Sequence, residues 1–144
     1  MINILSGIDS TSAALNAERI RMDVVSENIA NVNTSKGLDG KPYQRQEVMF
    51  ESVLKAQQQG GDPTGSGAQS VAIARIMKDE RPPRMVYNPS SPDADKSGMV
   101  AMPDININEE MVDMIASSRS YEANLAVVKN ARTMAMQDLA IGRH

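Results

Sequence analysis

A chain of 144 residues leads us to expect one domain with a modest core. Its aromatic content is 3%, with 11 methionines and no tryptophan, so apolar surface has to be buried along long helices rather than under large rings. A net charge of −3 without a basic block argues against nucleic acid, the absence of cysteine excludes disulfides and thiolate metal sites, and no apolar run nears the roughly 18 residues of a membrane span.

The first predicted element is a helix over residues 2–33. Its seam runs Ile4, Ile8, Thr11, Leu15, Glu18, Met22, Val25, Ile29, Val32, with seven of the nine apolar. Asp9 or Ser10 reads as the cap of its main body, and the run NVNTSKGLDG ends it. The start of the chain has no basic segment followed by a continuous apolar one, so it does not read as a cleavable secretion signal.

The middle changes character. Residues 36–40 form a turn, and residues 43–50 alternate weakly, as an extended segment does. Residues 56–70 are Gly/Gln/Ser-rich and read as a flexible linker. Residues 71–77 read as a strand, prolines extend residues 81–87, and residues 98–102 make a further short strand. Asn106 or Asn108 then caps a closing helix with Glu109 and Glu110 in its first turn.

That closing helix carries a second seam: Met111, Met114, Ser118, Tyr121, Leu125, Val128, Arg132, Ala135, Leu139, again with seven of nine apolar or aromatic. A stripe repeating at three and four residues is the pattern of a coiled-coil seam, and it needs a partner. The expected fold is therefore mainly α with a small β insertion. Long helices at residues 1–35 and 105–144 pair as a coiled coil, and an irregular β-rich excursion spans residues 36–104. The polar breaks at Thr11, Glu18, Ser118 and Arg132 imply that other copies complete the packing. Unpartnered, such narrow seams leave helix ends frayed.

Few residues offer chemistry. Residues 93–104 mimic a calcium loop through Asp93, Asp95, Ser97, Gly98 and Asp104. Pro92 and Pro103 obstruct the helices that would aim its ligands, so the stretch reads as an Asx-rich turn. GGDPTGSG lacks the lysine of a phosphate loop, and the one histidine is His144. Asp79/Glu80 and Glu109/Glu110 are adjacent acids, which at a helix start read as partners of the helix dipole rather than acid/base catalysts. Arg19 and Arg132 either pack their stems and snorkel, or form ion pairs between copies with Glu18 or Glu122. No metal, cofactor, small-molecule substrate or catalytic residue is expected.

Several segments resemble one family. Residues 18–34, ending in SENIANVNT, are similar to the N-terminal signature of bacterial flagellar axial proteins, and Arg19, Arg21, Met22 and Asp23 before it resemble that family's proximal-rod members. Pro42-Tyr43-Gln-Arg45-Gln, the block 92–103 and residues 106–124 resemble further family segments, while residues 60–70 are longer and more Gly-rich. The resemblance implies terminal helices paired in an inner layer, a central insertion outside them, and a drive shaft that transmits torque to the hook. It implies export without a cleaved signal through the flagellar type III apparatus, assembly in the periplasm, and copies of itself and other rod proteins as partners. Phe50-Glu-Ser-Val-Leu54 resembles the family's gate-recognition motif, with Phe50 and Leu54 as its apolar positions; the other reading of Phe50 is a buried aromatic of the β segment. The competing function is a soluble helical adaptor or export-chaperone-like module whose hairpin grips one partner.

Overall fold

Two helices of unequal length frame the chain. The computed structural model describes residues 4–37, 39–54 and 69–141. Helix α1 spans Ile4–Ala30, strands β1 to β4 span Gln46–Leu54, Gln69–Lys78, Arg84–Tyr87 and Met99–Met102, and helix α2 spans Ile107–Ile141. Most of the linker expected at 56–70 lies outside the described residues, as does His144.

Local chemistry sets the boundaries. Asn106 caps α2: its side-chain oxygen accepts from the Asn108 amide at 3.1 Å, and its amide donates to Glu109 Oε1 at 3.0 Å. Helix α1 already begins at Ile4, so Asp9 and Ser10 sit inside it rather than at its cap. Thr11 Oγ1 satisfies itself there by donating to the Gly7 carbonyl at 2.7 Å. At the far end the Asn31 side chain donates to the Glu27 carbonyl, closing the last turn. Gly40, at φ 71°, then turns the chain back. The Tyr43 amide donates to the Thr34 carbonyl at 3.1 Å, which lays the approach to β1 beside the end of α1.

The insertion holds two separate antiparallel pairs. In the β1–β2 pair, Met49 faces Arg75 and Phe50 faces Ile73, so Ala74 is the extra residue of a bulge. The β3–β4 pair closes through residues 88–98. Asp95 Oδ1 accepts from the Ser97 amide, the Ser97 hydroxyl and the Met99 amide at 2.8, 2.6 and 2.9 Å. These bonds hold its carboxyl below the ordinary value, the Ser97 hydroxyl contributing most. Residues 93–98 are thus an Asx-type turn whose central carboxylate serves its own backbone. Gly98 has φ 77°, and a Cβ there would come within 3.0 Å of the Tyr87 ring.

The helices run antiparallel. Asn28 of α1 meets Glu110 of α2, while Arg21, nearly two turns earlier, meets Asp113, further along α2. Helix α1 packs on α2 and also on both strands of the β1–β2 pair, whereas α2 packs on α1 alone among the described elements. Half-buried and buried positions therefore cover a wide face of α1 and only a stripe of α2. The core is small: Ala17, Val24 and Val25 of α1, Val100 of β4, and Pro103 just after it are the buried apolar side chains among the described residues. Ser117 of α2 is fully buried, its hydroxyl turned to the Asp113 carbonyl at 2.6 Å.

Candidate functional site

On α2, Met114, Tyr121, Val128 and Ala135 are half-buried toward α1, but Met111, Leu125 and Arg132 are exposed. Their places are taken by the residues just before the expected ones: Glu110 and Ser117 are buried, Asn124 and Ala131 half-buried, with Ser118 half-buried beside them. Both stripes share the line through Met114 and Tyr121 and repeat at three and four residues. The stripe used inside the chain is the more polar of the two. A straight helix also drifts against a strict seven-residue repeat, so no single stripe stays centred along its length.

This rotation leaves a long apolar surface on the outside of α2. Met111, Val112, Ile115, Val127, Met134 and Met136 are each more than half exposed, from 53% to 65%, and Leu125 is 41% exposed. Isolated exposed apolar residues are ordinary, but a helix that shows this many along its length has a face that awaits burial.

On α1, Ile8, Leu15, Met22 and Ile29 are half-buried and Val25 is buried; Val32, in the turn just past its end, is half-buried. The side chains of Ile4, Leu54 and Leu139 lie outside the described residues. Phe50 is 41% exposed and lines a groove with Val24 and Val25 of α1, Asn28 and Asp113. Arg19 and Arg132 are exposed and make no ion pair among the described residues. Glu18 keeps Oε2 buried without a hydrogen-bond partner among them.

The most organised chemistry is a polar clasp where the helices meet. Asn28 is 1% exposed and fills all four of its hydrogen-bonding positions. Its Nδ2 donates to the Gln46 carbonyl at 2.9 Å and to Glu110 Oε2 at 3.0 Å. Its Oδ1 accepts from the Gln46 amide at 2.9 Å and the Tyr43 hydroxyl at 3.0 Å. Glu110, also 1% exposed, takes Arg45 Nε on its other oxygen at 2.6 Å. Burial works to lower the Arg45 pKa, but the hydrogen bond and charge of Glu110, with Glu47 adding, outweigh it and raise the net value. Burial, then the charge of Glu27, pushes the Tyr43 hydroxyl up, so it stays a donor.

Two further arginines, the half-buried Arg21 and the exposed Arg81, brace the outside. Arg21 meets Asp113 at 3.2 Å, and Arg81 spans Asp79 and Asp104 at 2.7 and 3.3 Å. Hydrogen bonds from the Arg81 side chain and amide hold the Asp79 carboxyl low.

The clasp was not among the expected site residues. The available signal was Asn28 itself, an amide set one helical turn from Val24 and Val25 on an otherwise apolar stripe. Its arrangement suits register fixing: all four hydrogen-bonding positions of Asn28 and both carboxylate oxygens of Glu110 are engaged. Among the described residues, no three metal-binding side chains group as a site, and no helix is long and apolar enough to cross a membrane.

Residues 8–35 match a family described as flagella basal body rod protein, and residues 96–140 match one described as flagellar basal body rod FlgEFG protein C-terminal. Curated relatives match across nearly the whole length. The chain is 42% identical to the flagellar basal-body rod protein FlgC of Borreliella burgdorferi, covering 97% of this chain and 98% of the relative. It is 37% identical to that of Bacillus subtilis, with 94% and 96% covered. Against that of Salmonella typhimurium the identity is 33%, with 97% and 98% covered.

Proposed function

The chain belongs to the FlgC family of flagellar basal-body rod proteins, and on that premise we propose that it is a structural subunit of the proximal rod, polymerising through its terminal helices into the drive shaft that carries torque to the hook. One observation carries this reading: α2 turns its more polar stripe toward α1 and keeps Met111, Val112, Ile115, Leu125, Val127, Met134 and Met136 exposed. Such a face gains about 25 cal/mol for each Å² of apolar surface covered by a neighbour. A helical lattice repeats that gain at every subunit through non-identical, head-to-tail contacts. A self-contained adaptor would instead satisfy its seams internally.

In this reading residues 1–35 and 105–144 form the inner layer and residues 36–104 the outer one. The partners are copies of the chain and other rod proteins, and the subunit does no chemistry of its own. It reaches the periplasm without a cleaved signal, through the flagellar type III export apparatus, with Phe50 and Leu54 offered to the export gate. The exposure of Phe50 supports that role.

Two measurements test these points. Ile115→Glu combined with Val127→Glu should leave the far-ultraviolet spectrum of the soluble chain unchanged and abolish incorporation into basal bodies; normal rods and swimming would contradict the polymer face. Phe50→Ala should stop secretion while cellular levels stay normal. Unchanged secretion removes the export role and leaves the structural one intact.

A further inference from the structure

We propose that the Asn28–Arg45–Glu110 clasp couples two events, docking of the β1–β2 hairpin and pairing of α1 with α2, so that neither is stable without the other. This rests on the fold alone and is independent of the rod role.

Among the described residues, the β1–β2 hairpin packs on α1 and not on α2. By packing alone, α2 could leave and the hairpin stay. The polar groups forbid this. Asn28 holds both backbone groups of Gln46, the first residue of β1, and with the same amide nitrogen it holds Glu110 of α2. Arg45, one residue before β1, ends on the other oxygen of the same carboxylate.

Removing α2 takes away both acceptors together. The Arg45 guanidinium, 19% exposed, then has only Glu47 at 3.8 Å, itself 68% exposed and a weak substitute. Removing β1 is as disruptive in reverse. It strips Glu110 of its counterion and Asn28 of two backbone partners, leaving a buried carboxylate uncompensated. Asn28 has no spare hydrogen-bonding position with which to form a partial arrangement.

The test is hydrogen–deuterium exchange of the full chain, read at peptides covering β1 and the α1–α2 seam. Two variants loosen the structure from different sides. Glu110→Gln alters the clasp, because its amide has one acceptor oxygen where the carboxylate has two, so Asn28 or Arg45 loses its acceptor. Tyr121→Asp loosens α2 several turns away. Coupling predicts that in both variants the β1 amides and the seam amides of α1 speed up by the same factor, about tenfold or more. A third variant, Arg45→Met with Glu110→Leu, removes both charges. Adding Tyr121→Asp to it should then speed the helices and leave β1 protected. The proposal is overturned if β1 exchange is unchanged in the first two variants. It is equally overturned if β1 still follows the helices once both charges are gone.

Discussion

Asn28 shows how much one side chain can decide. Replacing it with alanine strands Glu110 Oε2, the Tyr43 hydroxyl and both backbone groups of Gln46, at about 1–3 kcal/mol for each buried group left unpaired. The expected loss is about 3 kcal/mol in urea unfolding, since water reaches some of the stranded groups. Arg21→Ala removes a pair whose members are 33% and 39% exposed, so it should cost less than about 1 kcal/mol. Equal losses from the two would mean that the clasp contributes no more than a surface bridge. The sequence makes Val25 and Ile29 legible as packing residues because apolar spacing is a direct signal. It hides the clasp because Arg45 and Glu110 lie 65 positions apart and meet only through the fold.

At the scale of elements, helix existence and the order of strands follow from pattern and turn chemistry. The cap at Asn106, the extended segments and the Asx turn were all legible locally. The rotation of α2 was not, because its two stripes share every second position and differ by one residue at the others. Hydrophobicity favours Met111 and Leu125 for burial, whereas the inward acid Glu110 fixes the helix the other way round. The β3–β4 turn gives a pH prediction. The Asp95 carboxyl lies below its ordinary value of 3.8 in the folded chain, so its contribution is complete above that value. It is lost as pH falls through the lowered folded value. The amide resonances of Ser97 and Met99 should therefore hold their folded positions to below pH 3.8 and collapse together beneath it. Movement at higher pH would contradict the turn's dependence on this carboxylate.

For the whole molecule, the layered plan was readable from the chain: helix, β-rich excursion, helix, with ends that must meet. What the sequence did not reveal is which apolar surface is spent inside the chain and which is left over. Among the described residues, Ala17, Val24 and Val25 are the buried apolar side chains of the helix pair, and most of the larger apolar residues of α2 are exposed. On the proposed rod reading, a subunit built this way is completed by its neighbours. Cryo-electron microscopy of basal bodies that contain this chain tests the claim most directly. The account predicts Met111, Ile115, Leu125, Val127 and Met134 packed against helices of adjacent subunits, with the Asn28–Glu110 clasp intact in every copy. Those side chains turned to solvent or to a water-filled lumen, with rod contacts carried by the β insertion alone, would contradict it.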